Sequence, residues 1–229
     1  MALNFLVSFF SIALMALLVS TNFRIGKFLN LSLGGLFAAG GYIAYFTPNP
    51  VFAALSGLLF GTLLSLAISK ICRSVIEATV LSLGAGILIE RGLEIVHRSS
   101  YYYFVDFDYS TYVILLGAVS YLFVLGIYLS PLGLKMKFVE EDHELAELYG
   151  INTGMIFTVT TSLASACAVL AGFLSSGSLA ISPTTGFGYL ISGIIVSALT
   201  AQLRQVGAVH YLALLAISFA AARFMEVLI

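Results

Sequence analysis

The chain has 229 residues, of which 60% are hydrophobic and only 9% charged, with a mean hydropathy of +1.07. Soluble domains carry about 25% charged residues, so this composition excludes a soluble protein and describes an integral membrane protein. The net charge of −1 gives no footprint for nucleic acid, and the two cysteines, Cys72 and Cys167, form neither a disulfide framework nor a metal spacing.

A bilayer span needs roughly 20 apolar residues. By that measure the sequence predicts an all-α, polytopic membrane protein, a single domain over residues 1–229. About eight transmembrane helices are expected near 3–21, 29–46, 49–69, 76–96, 112–129, 155–175, 187–201 and 207–228. Residues 5–20 lack a basic lead and a cleavage motif, so they read as a retained span. Lys and Arg favour the cytoplasmic side. Arg24 and Lys27, Lys70 and Arg73, the lysines of 130–155, and Arg204 fall in alternate connections. The other connections, 47–48, 97–111 and 176–186, hold only Arg98, offset by Asp106 and Asp108. Residues 130–155 are therefore expected inside and both termini outside. Trp is absent, so tyrosines must supply any interfacial belt; the Tyr-rich loop 97–111 suits that place or an external partner.

The second span, NLSLGGLFAAGGYIAY, carries Gly34, Gly35, Gly40 and Gly41. Small residues so spaced let helix backbones touch. They also suit a broken helix beside a polar path, with Asn30 and Ser32 offering hydrogen bonds near its terminus. The sequence leaves both readings open. The fourth span has Ser82, Gly84 and Gly86, then Glu90, Arg91 and Glu94 at spacings that pair on a helix; Arg73 and Glu77 can pair likewise at its inner end. The seventh follows a stretch with Pro183, Gly186, Gly188 and Gly193. Interrupted segments early and late in a chain point to a site between two halves.

Residues 130–155 hold Lys135, Lys137, Glu140, Glu141, Asp142, Glu144 and Glu147, a charge density that cannot cross the hydrocarbon core. Pro131 and Gly133 should end the preceding span. The run Glu140-Glu141-Asp142 suits a helix N-terminus. Leu145, Leu148 and Tyr149 share one helix face with Ala146 beside it, and Gly150 should stop the helix in the left-handed region. A short cytoplasmic helix over 140–150 is predicted, acidic on one side and apolar on the other. It can pack on its own bundle, lie on the membrane or enter a partner's groove, and its acidic side argues against anionic lipid.

The sequence has neither GxxxxGK[ST] nor HExxH. His97, His143 and His210 have no catalytic motif around them; His210 with Ser192 or Ser197 comes nearest to one. Adjacent residues of Glu141-Asp142-His143-Glu144 point in different directions on a helix, which disfavours a cation site. These features favour transport or binding over catalysis, and no metal or cofactor is expected on this chain.

The sequence resembles the permease subunits of ATP-binding-cassette importers, specifically the branched-chain amino-acid type. SPLGLKMKFVEEDHELAELYGIN resembles that family's coupling segment through Gly133, Lys137, Glu141, Asp142, Glu144, Ala146, Gly150, Ile151 and Asn152. The second span is similar through Asn30, Ser32, Gly34, Gly41 and Tyr42. The fourth is similar through Leu83-Gly84, with Ser82 where a Thr is usual. The sixth span and the loop after it match at Leu170, Ala171, Gly172, Pro183 and Gly186. Departures are Thr200 and Ala201 at a usual Gly pair, Leu33 for a usual His or Gln, and Phe138 for a small residue.

The resemblance implies a transport subunit in a bacterial or archaeal plasma (inner) membrane. It implies a second permease subunit, two cytoplasmic ATPases that carry the ATP and Mg, and an external solute-binding protein. ATPase contact would fall on Glu141, Asp142, Glu144, Leu145, Ala146, Leu148, Tyr149 and Gly150. The substrate path would take Asn30, Ser32, Gly34, Gly41, Ser82, Gly84, Pro183 and Gly186. A path with few polar groups and no fixed charge suits branched-chain or other apolar amino acids first, and urea-like amides or nucleosides next. The alternatives are a standalone binding subunit that borrows a shared ATPase, and an intramembrane enzyme.

Overall fold

Apolar runs in a bilayer must satisfy their backbone hydrogen bonds internally, and this chain does so as helices. The structure, a computed structural model, describes residues 2–97, 129–177, 180–202 and 208–228 together with positions 118, 121, 122 and 126. Among these residues the elements are α1 (Ala2–Gly26), α2 (Ser32–Phe46), α3 (Pro50–Ile71), α4 (Val75–His97), α5 (Pro131–Glu141), α6 (His143–Leu148), α7 (Thr153–Ser175), α8 (Thr185–Gln202) and α9 (Ala208–Leu228). The expected span at 112–129 lies almost wholly outside the described residues, as do the Tyr-rich loop beyond His97, Arg204 and Gly207.

Four described helices are long and apolar enough to cross a membrane: α1 from Asn4, α3, α7 and α8. Two others fall short for visible reasons. α2 has 15 residues, so it rises only about 22 Å against a hydrocarbon core of about 30 Å. α4 carries Glu77, Glu90, Arg91 and Glu94.

α7 sits at the centre, against α1, α2 and α3. Its small residues make that possible. A Cβ on Gly57 or Gly61 of α3 would lie 2.6 Å from the Cα of Ala166 or Ser162. One on Gly40 would collide with the Val169 carbonyl, and one on Gly172 with the Phe37 carbonyl. α1 is buried from Ser11 to Val19 and packs on α7, α8 and α9.

Contacts fix the helix directions. Arg24 near the end of α1 meets His210 near the start of α9, while Phe5 stacks edge-on against Phe219 at the opposite ends. α1 and α9 are thus antiparallel. α3 runs antiparallel to α7, and α8 parallel to α1, with Tyr189 beside Ser8 and Gly193 against Met15. The α1–α2 turn, the α3–α4 turn and residues 130–152 therefore gather at one end. There Lys27 Nζ donates to the Glu140 carbonyl at 2.9 Å, and Phe28 joins Leu64, Ile68 and Ala78 in one small core. It is the end to which Arg24, Lys27, Lys70, Arg73, Lys135 and Lys137 belong.

Candidate functional site

The charged segment folds as two helices where one was expected. Pro131 opens α5, its fixed φ suiting a first helical position, and Ser130 Oγ accepts from Gly133 N at 3.5 Å. Pro131 thus starts a helix as well as closing what precedes it. α5 then runs through Glu140 and Glu141, so these two end a helix and do not begin one. The start of α6 falls to Asp142, whose extended backbone breaks the chain and whose Oδ1 accepts from Glu144 N at 2.9 Å and Leu145 N at 3.1 Å.

The far end of α6 is as predicted. Gly150 has φ +76°, its N–H donates to Glu147 O at 2.9 Å, and Ile151 N–H donates to Ala146 O at 3.0 Å. That is the paired closing motif of a left-handed cap. Asn152 Oδ1 caps α7 through Met155 N at 2.9 Å, and Thr153 Oγ1 donates to Glu147 Oε1 at 2.7 Å. Six residues of helix are thereby fixed at both ends.

Ala146 is fully buried with Ile25, Met136, Val139 and Ile156, and Ile151 packs on them. The predicted apolar face points the other way. Leu148 is 84% exposed and Tyr149 72%, with Leu145 and Phe138 exposed beside them and the Phe138 and Tyr149 rings 6.3 Å apart. The face does not pack on its own bundle.

The segment is tied inward through a polar clasp that the sequence did not foretell. Arg24 Nη1 lies 3.3 Å from Glu140 Oε1, and its Nη2 lies 3.0 Å from His210 Nε2. A guanidinium only donates, so His210 accepts. The clasp joins α1, α5 and α9. The sequence set His210 beside Ser192 or Ser197 and gave no signal for its pairing with Arg24.

The second assembly is where α2 and α8 begin. Ser82 Oγ on α4 accepts from Leu31 N at 3.1 Å, and its proton is shared between the carbonyls of Thr79 at 2.8 Å and Leu29 at 3.1 Å. Ser82 stands two turns into α4, about 10 Å along it. The start of α2 is therefore held inside the bundle. Asn30 and Ser32 are buried there, with Ser32 Oγ donating to Asn30 Oδ1 at 2.6 Å. A Cβ on Gly186 would collide with the Gly34 carbonyl, and Ile181 lies against Gly41. Pro183 is buried between them in sequence. The early and late interrupted segments thus meet.

Residues 1–225 match the family described as branched-chain amino acid transport system / permease component. The chain belongs to this family. It is a multi-pass membrane transport permease. No curated protein and no solved structure matches it significantly.

The permease brings Asn30, Ser32, Gly34, Ser82 and Gly186 together and leaves Gly84 apart. Gly84 is exposed with nothing near its Cβ position. The glycine of α4 that reaches α2 is Gly86, whose carbonyl would lie 2.6 Å from a Cβ on Gly35. Its spacing of four from Ser82, on the same helix face, was the available signal. A cavity of about 10 Å³ beside this junction is bounded by Phe37, Gly41, Gly172, Ser175, Ile181 and Thr185, among others. That holds about one water, so it admits no amino acid in the conformation observed.

Proposed function

We propose that this permease is the membrane subunit of an ATP-driven importer for a small solute, branched-chain or other apolar amino acids first. In this reading residues 1–229 form one domain of about eight spans. α2, α4, α9 and residues 112–129 join the four long apolar helices in a bacterial or archaeal inner membrane. A second permease subunit completes the path, an external solute-binding protein delivers the solute, and two cytoplasmic ATPases hold the ATP and Mg. The chain itself binds no cofactor and performs no covalent chemistry.

The observation that supports the reading is the stub α6. It is capped at both ends, anchored by Ala146, and displays Leu145, Leu148 and Tyr149 outward at the basic end of the bundle. A stiff helix with a bare apolar face is what a partner's groove takes up. Glu141, Asp142 and Glu144 flank that face and would meet basic groups on the ATPase.

Burying a leucine side chain contributes about 1.5–3 kcal/mol, so Leu148→Arg is expected to weaken ATPase association on the order of tenfold or more. Copurification with the tagged permease from native membranes reads this directly. A cysteine at position 148 should cross-link to an ATPase in the same membranes. Undiminished association in the Leu148→Arg variant, with no cross-link, would overturn the importer reading in favour of a standalone binding subunit.

A further inference from the structure

The first turn of α2 holds no acidic residue and has no side-chain cap. Leu31 stands at its cap and offers no side-chain acceptor to N–H groups that no helix can bond internally. The helix dipole adds positive potential at the same place. Asn30 lies beside that turn, 2% exposed, with Oδ1 taking the Ser32 hydroxyl and Nδ2 left without a partner. Turning the amide over would not help. Nδ2 would then donate to Ser32 Oγ, leaving Oδ1 alone and the hydroxyl without the acceptor it now uses. A buried donor left unmade is destabilising, and a ligand oxygen placed there would relieve it.

Two side chains of α8 stand against this turn at Gly34: Leu190, whose Cδ2 would lie 3.2 Å from a Cβ there, and Phe187. Phe187, in the first turn of α8, reaches from α2 to α4 across the gap that two glycines leave. A Cβ on Gly34 would lie 3.3 Å from its Cδ1, and one on Gly86 3.4 Å from its Cζ. Gly86 itself stands over Leu31 and Ser32.

We propose that the start of α2 is a seat for the carboxylate of the transported solute, with Asn30 Nδ2 and the first-turn amides as donors and Phe187 as the movable cover. The proposal deepens the importer reading and rests on it for the word "transported". The donors are dipoles and an amide, and the hydroxyls of Ser32 and Ser82 are already engaged. Neutral donors in the field of a helix N-terminus hold an anion and still release it. Swinging the Phe187 ring aside opens the seat, and its return excludes water.

The test uses the purified full-length permease in lipid nanodiscs, titrated with isocaproate, L-leucine and isoamylamine while its unfolding temperature is recorded. These share one branched tail, and isoamylamine lacks the carboxylate. In the Phe187→Ala variant isocaproate and leucine should raise the unfolding temperature, and isoamylamine should not. Wild type should bind isocaproate about tenfold more weakly than Phe187→Ala, because the cover must first move. Adding Asn30→Ala should lower the isocaproate affinity of the Phe187→Ala chain by about tenfold or more. Phe187→Leu, which keeps most of the apolar volume, supplies the same comparison should the alanine variant not fold. Equal stabilisation by isoamylamine, or no response to any of the three, overturns the seat. The importer reading fails separately: native membranes would take up no leucine on ATP while isocaproate still binds the Phe187→Ala chain.

Discussion

At the scale of single residues, the glycines divide by what stands next to them. Gly172 faces the Phe37 carbonyl so closely that a methyl group has no room, whereas Gly84 looks onto open space. Both lie in helices, so both would gain about 1 kcal/mol of helix propensity from alanine. Only Gly172→Ala must push two backbones apart, and overpacking costs about 1–3 kcal/mol or more. The packing term wins at Gly172 and is absent at Gly84. Gly172→Ala should therefore lower the unfolding temperature in detergent, while Gly84→Ala leaves it unchanged or slightly raised. Sequence spacing marked Gly34, Gly41, Gly84 and Gly186 alike. Spacing records which positions are small and not which helix approaches them, so only the place of Gly86 four residues from Ser82 set it apart from Gly84.

At the scale of elements, helices were legible among the described residues wherever a long apolar run announced them, because length and hydropathy are properties of one segment. The spans predicted at 49–69 and 155–175 correspond to α3 and α7 within a few residues, and the segment 76–96 is helical as α4. The charged segment was legible only in part. Gly150 was readable because a left-handed turn selects glycine. The break at Asp142 was not, since three acidic residues in a row suit one N-terminus equally well and only the backbone shows which of them caps it. Asp142 accepts two amide hydrogens at the start of a helix of six residues, which has little stability of its own. Asp142→Ala should cost about 1 kcal/mol, as lost N-caps do, and Asp142→Asn, which keeps the accepting oxygen, much less. Hydrogen exchange of the amides from Glu144 to Tyr149 reads the difference: about fivefold faster in the alanine variant and near wild type in the asparagine variant. Equal rates in all three would mean that Ala146 and the Gly150 turn hold α6 without its cap.

At the scale of the whole molecule, the stub matters only if its movement reaches the helices around the path. The clasp offers a polar route. Glu140, at the end of α5, is held by Arg24 of α1, and Arg24 is also bound to His210 of α9. α1 carries that connection along its buried length to α8, where Gly193 lies against Met15 and Tyr189 against Phe37. The ion pair is partly solvated, with side chains 29% and 26% exposed. A double-mutant cycle of Arg24→Gln and Glu140→Gln should accordingly return a coupling of only about 0.5–1 kcal/mol in unfolding. A pair this weak contributes little as a brace, but it can direct motion, because α1 and α9 share it with α5, which leads directly into the stub. Arg24→Gln leaves Leu145, Leu148 and Tyr149 untouched, so under the importer proposal it should preserve ATPase association and lower ATP-driven uptake. Undiminished uptake in that variant would mean that motion passes from the stub to the bundle through the packing of Ala146 against Ile25 and Ile156, with the clasp as a bystander.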